Sequence, residues 1–256
     1  DGKAYYKGKL LSSPEALKQS GIKPIRLGAK EAMGLTNGSN FIASIASISV
    51  LEAEKLLNIA SLSTALSLEA VRGEKRAFQE LINEQSDRHI GQIAIAKQIR
   101  SLIKGSMRTT KESQEIQFSN ERNKERVQDR YSFRCAPQIH GAAFEAIEKL
   151  KQTLTTEINS VTDNPVFDFE KTVTVKVNGK NTETVSFASG GNFHGQLLAS
   201  PIDYVKMTLT SLSIASDKRS FSLLDSHLSY GLPGDLAFDT SKADAGYMIA
   251  QYAGAA

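Results

Sequence analysis

A mostly α fold, a bundle of long helices with one small β-hairpin insertion, is predicted by two observations. Apolar residues recur every three or four positions over several runs of about twenty to thirty residues. One short segment instead alternates β-branched and polar residues around an Asn-Gly turn. The composition agrees with a packed core: 256 residues, 40% hydrophobic and 23% charged. A net charge of +3 on 31 basic and 28 acidic side chains argues for neither a nucleic-acid partner nor a membrane surface. No stretch approaches the roughly 18 to 20 apolar residues that span a bilayer. The single cysteine, Cys135, leaves no internal disulfide to form, so a cytoplasmic location is expected.

The elements follow in order. Residues 4–11 read as a hairpin around Lys7-Gly8-Lys9. Ser13-Pro14-Glu15-Ala16 reads as a helix start, serine as cap and proline at the first helical position, and that helix stops at Gly21. Over 39–71, Phe41, Ile42, Ile45, Ile48, Leu51, Leu56, Ile59, Leu62 and Leu66 give a long helix. Its first half carries almost no charge and is expected to be buried all round. A second helix is expected over 87–104 through Ile90, Ala94, Ile99, Leu102 and Ile103. Residues 105–119 break the pattern, and 120–127 form a charge run read as a solvated face. Ile139, Ala143, Ile147, Leu150, Leu154, Ile158 and Val161 mark another amphipathic helix, ended at Asp163-Asn164-Pro165. The hairpin is placed at 172–177 and 182–187 about Asn178-Gly179. A further long helix is expected over 193–224, and 252–256 reads as a helix that continues.

Chemistry-bearing residues gather where helices begin or break. The four histidines are scattered, with no spaced pair that would hold a metal, and each reads as a structural or surface residue. There is no P-loop and no nucleophile elbow. Asn37 stands in Leu35-Thr36-Asn37-Gly38, where it either caps the next helix or projects into a pocket. Gln128-Asp129-Arg130-Tyr131-Ser132-Phe133-Arg134 packs an amide, a phenol and two guanidiniums ahead of a long helix. A guanidinium fork suits a carboxylate, and a phenol can move a proton; alternatively the group braces a helix start. Ser189-Gly190-Gly191-Asn192-Phe193-His194 permits a sharp turn.

Five segments follow one another along nearly the whole chain: Ala29-Lys30-Glu31-Ala32-Met33 with Leu35-Thr36-Asn37-Gly38, then Gln128 to Gln138, then Asn159-Ser160-Val161-Thr162-Asp163-Asn164-Pro165, then Gly190-Gly191-Asn192-Phe193-His194, then Gly246-Tyr247-Met248-Ile249-Ala250-Gln251. Together, and in this order, they resemble the aromatic amino acid ammonia-lyases. The resemblance implies the central helical domain of that fold, with 1–256 as one domain cut at both ends. It implies non-oxidative loss of ammonia from an aromatic amino acid, histidine first, giving urocanate in histidine catabolism. Tyrosine or phenylalanine ammonia-lyase or aminomutase is the alternative, and a non-catalytic homologue serving as an interaction module is the alternative of another class. The family's electrophile is methylidene-imidazolone, made from an Ala-Ser-Gly tripeptide. That tripeptide is expected upstream of residue 1 and absent from this chain, which is therefore expected to be inactive alone. Carried over by residue, Tyr131 and Asn37 resemble catalytic positions, and Arg134, Gln128, Phe193 and Asn164 substrate-binding ones. A homotetramer is implied, and no metal.

Overall fold

The computed structural model describes residues 2–85, 87–115, 128–239, 241–242 and 244–255. The charge run at 120–127 lies outside them. The chain divides into two compact units, Asp1–Gly38 with Val161–Phe193, and Ser39–Ser160 with His194–Ala256.

In the first unit, β1 (Lys3–Tyr6) pairs antiparallel with β2 (Lys9–Ser12). Their two-residue turn has positive φ at both Lys7 (48°) and Gly8 (79°), the twist a tight hairpin needs. Helix α1 (Ser13–Ser20) begins one residue earlier than its proline indicates: the cap is Ser12, not Ser13. The Glu15 carboxylate reaches back to accept from the Ser12 backbone N–H (3.3 Å) and hydroxyl (2.8 Å). Gly21 ends the helix at φ 73°, as expected. A short helix α2 (Glu31–Thr36) carries no periodic signal long enough to read. The insertion hairpin, β3 (Val166–Val177) with β4 (Lys180–Ala188), turns at Asn178-Gly179 and is longer than the alternation marks. A register shift between Asp168 and Thr172 hides the extension, and Phe167 packs against Phe187 at 6.2 Å between ring centroids.

The second unit is helical. In chain order it holds α3 (Asn40–Ala70), a 3-10 turn (Lys75–Phe78), α4 (Glu80–Asn83), α5 (Ile90–Leu102), α6 (Lys111–Glu115), α7 (Tyr131–Arg134), α8 (Ala136–Ile158), α9 (Gln196–Leu224), a second 3-10 turn (Gly234–Leu236) and α10 (Met248–Ala255). Small residues set the packing. Ala43, Ala46, Val50, Ala53, Leu57 and Ala60 form one buried stripe of α3, in a core shared with Ala143, Ala146, Ile147 and Leu150 of α8 and with Leu198, Val205 and Leu212 of α9. Hydroxyls inside these helices are satisfied locally. Ser47 donates to the Ala43 carbonyl (2.7 Å), and Thr64 to that of Ala60 (2.9 Å).

The expectation that α3 is buried all round in its first half does not hold. Phe41 is 80% exposed and Ile48 68%. The alanine stripe takes the contacts with α8 and α9, and among the described residues the larger side chains opposite it stay in solvent. No helix among the described residues is long and apolar enough to cross a membrane.

Candidate active site

The six singled-out residues are divided between the units. Asn37, Asn164 and Phe193 belong to the first, Gln128, Tyr131 and Arg134 to the second.

Asn37 is half-buried at the end of α2, its backbone N–H on the Met33 carbonyl (2.7 Å). It does not cap the following helix. That cap is Ser39, whose hydroxyl bonds to the Glu157 carboxylate. The Asn37 side chain instead donates to Asp163. The same carboxylate accepts from Lys30 Nζ at 2.6 Å, and Lys30 also donates to the Asn164 carbonyl at 2.7 Å. Lys30 first, then the Asn164 backbone N–H, hold the Asp163 carboxyl below the usual carboxylate range. Asp163 reads in sequence as part of a helix stop. Its role as anchor for Asn37 leaves no local signal, because its partners lie far off in the chain.

Asn164 serves the glycine-rich turn. Its Oδ1 accepts from the Gly190 N–H at 2.6 Å and from the Ser189 hydroxyl at 3.2 Å. Asn192 Nδ2 donates to the Val161 carbonyl at 3.2 Å. Phe193 follows, 39% exposed. The expectation that the chain lacks Ala-Ser-Gly is corrected here: Ala188-Ser189-Gly190 is one. Ala188 is the last residue of β4, paired with Val166, and the Gly190 N–H is committed to Asn164. Cyclisation would require that nitrogen at the Ala188 carbonyl, so this tripeptide is held as a strand end.

In the second unit, α7 turns Ser132 and Phe133 inward, both buried, and leaves Tyr131 71% exposed. Tyr131 and Arg134, three residues apart, share a face. The guanidinium carbon stands 4.5 Å from the phenol ring centroid, a cation–π stack that orients both groups. Gln128 is exposed, its carbonyl 3.5 Å from the Tyr230 hydroxyl. Its neighbour Asp129 is buried and accepts from the Glu74 N–H at 2.5 Å, tying this segment to the cap of the 3-10 turn that follows α3. Behind α7 lies Arg219, 1% exposed. Nothing in the periodicity of α9 separates it from a surface arginine. His140 is fully buried, Nδ1 3.4 Å from the Ser61 hydroxyl, and burial, then Arg219, push its pKa down to about 3. Among the described residues, no three His, Cys, Asp or Glu side chains gather to hold a metal ion.

The family model for aromatic amino acid lyases matches residues 1–256. The chain belongs to the aromatic amino acid lyase family. Curated relatives include histidine ammonia-lyase 2 of Fusobacterium nucleatum, 40% identical over 256 residues, and a probable histidine ammonia-lyase of Thermoplasma acidophilum, 37% identical. The chain spans 45% and 46% of their lengths. Among solved structures, the tyrosine aminomutase of Streptomyces globisporus covers 100% of this chain at 30% identity with a TM-score of 0.84, the chain matching 48% of it. A histidine ammonia-lyase of Trypanosoma cruzi covers 97% at 31% identity and a TM-score of 0.77, with 41% of that chain matched. These lyase and aminomutase structures share the fold of both units.

Proposed function

We propose that the whole protein eliminates ammonia from L-histidine to give urocanate, and that this chain supplies its carboxylate clamp, a phenol and a supporting amide. The observation that carries the reading is the Tyr131–Arg134 stack, set on one face of α7 by the burial of Ser132 and Phe133 between them. The Arg134 fork receives the substrate carboxylate through two parallel hydrogen bonds. Tyr131 stands beside it as the group that holds or moves a proton at its hydroxyl. Gln128 and Phe193 are substrate-binding positions on the family resemblance alone. Methylidene-imidazolone, when present, supplies an electrophile that activates the amine as a leaving group. A half-buried amide fixed by a charged partner suits such a polar group, and Asn37 is one. Binding energy spent on the carboxylate keeps the β-hydrogen aligned for removal.

Names of relatives support histidine first: those at 37–40% identity are histidine ammonia-lyases. Likeness of the backbone to tyrosine aminomutase, TM-score 0.84, favours a second reading in which tyrosine is the substrate and ammonia is returned to the β-carbon. The whole protein, purified and given histidine, tyrosine and phenylalanine in parallel, separates them. Urocanate with released ammonia is the expected result. β-Tyrosine from tyrosine installs the second reading, and no product from any substrate leaves a non-catalytic homologue.

A further inference from the structure

Helix α7 is four residues long, too short to be held by its own hydrogen bonds. Yet it carries the two groups whose spacing the proposed chemistry depends on. Two contacts fix it from behind. Phe133 seats in the core, 2% exposed, and Arg219 Nη1 on α9 donates to the Ser132 carbonyl at 3.0 Å. The other arm of the guanidinium, Nη2, donates to the Ser216 hydroxyl at 2.8 Å, one turn back on α9.

A buried arginine in this position needs a physical reason. Burial lowers its pKa to about 10, so it remains a cation at neutral pH. Both hydrogen-bond acceptors are neutral, a carbonyl and a hydroxyl. An apolar side chain of similar volume would pack the site without desolvating a charge. What arginine alone provides is a rigid fork, two donors at a fixed angle, that sets the distance and tilt of one backbone carbonyl against a long helix. That carbonyl lies between Tyr131 and Arg134. With Phe133 as the pivot, any movement at Ser132 swings both groups together.

Resting on the proposed ammonia-lyase reading, we infer that Arg219 is a positioning residue, holding the α7 turn at the Ser132 carbonyl so that Tyr131 and Arg134 meet the substrate together. It touches neither substrate nor reacting atoms.

The test uses the whole protein with Arg219→Met, Arg219→Lys and Ser216→Ala, each measured for thermal midpoint, kcat and KM with L-histidine. Arg219→Met is expected to fold and to lose about ten- to a hundredfold in kcat/KM, with KM raised by the displaced clamp and kcat lowered by the displaced phenol. Arg219→Lys, keeping the charge on a single donor nitrogen in place of the two-nitrogen fork, recovers part of the loss. A folded Arg219→Met with kcat and KM both within about twofold of the parent overturns the inference. If that variant does not fold, Ser216→Ala decides: a fall of about three- to tenfold supports positioning, and unchanged kinetics overturn it. A parent protein that turns over no aromatic amino acid sinks the underlying reading and this inference with it, whereas an active parent with indifferent variants sinks the inference alone.

Discussion

The Arg134 guanidinium carbon stands over the Tyr131 ring, 4.5 Å from its centroid, and that contact makes replacement by lysine far from conservative. In the whole protein, Arg134→Lys keeps the charge but loses the two-point fork. We expect kcat/KM to fall about ten- to a hundredfold, equivalent to roughly 1.5–3 kcal/mol, with kcat reduced because the β-hydrogen is misaligned. The thermal midpoint should hardly move. An unchanged kcat/KM with a lowered midpoint would make Arg134 a brace for the helix start. His140 gives a second residue-scale expectation. Burial and Arg219 depress its folded pKa to about 3, against an ordinary value of 6.5. Between these values the unfolded chain binds a proton that the folded chain refuses, so this histidine contributes nothing adverse above pH 6.5 and destabilises as pH falls towards 3. The slope approaches about 1.4 kcal/mol per pH unit. His140→Gln should flatten it, and denaturant titrations of both proteins at neutral and mildly acidic pH read the difference. Identical pH dependence in the two would contradict this.

At the scale of elements, α5 and α8 cross at two glycines. A Cβ on Gly141 would stand 2.6 Å from the Gln92 nitrogen and 2.8 Å from the Gly91 carbonyl carbon. These are backbone atoms of a packed helix and cannot yield as a side-chain tip would. Gly141→Ala should therefore destabilise by about 1–3 kcal/mol despite its better helix propensity, read as a lower urea midpoint. A midpoint at or above the parent's would mean that the crossing is looser than the contact implies. The same crossing is closed at its edge by the Glu145 carboxylate, which accepts from the Gly91 N–H at 3.0 Å. That bond satisfies one orphan donor at the start of α5.

For the whole molecule, the consequential feature is the apolar surface on α3 and α9. Phe41, Ile45, Ile48 and Ile59 on α3, and Leu197, Met207 and Ile214 on α9, are all more than half exposed. Rows of large apolar side chains on long helices are uncommon on monomers and mark association surfaces. We expect the protein to self-associate, in line with the homotetramer that the family resemblance implies. Light scattering at micromolar concentration should give a mass well above the 27.8 kDa of one chain. Ile48→Glu, charged in the middle of the α3 row, should lower it. A monodisperse monomer would refute the expectation.

Long helices, the Asn-Gly hairpin and the five family segments were legible because each depends on local sequence: periodicity, turn chemistry and short motifs at fixed order. Tyr131 and Arg134 are three residues apart on one short helix, so their sharing a face is local in the same sense. What sequence could not supply were relations made across the chain. That Asn37 answers to Asp163 rather than capping α3, and that Arg219 reaches the Ser132 carbonyl, depend on segments brought together only by folding. Burial shows the same division. An uncharged run such as 40–51 states how much apolar surface the helix carries. Which side of it meets α8 and α9 was decided by the fit of its alanines, because close helix packing selects small residues over the larger ones opposite.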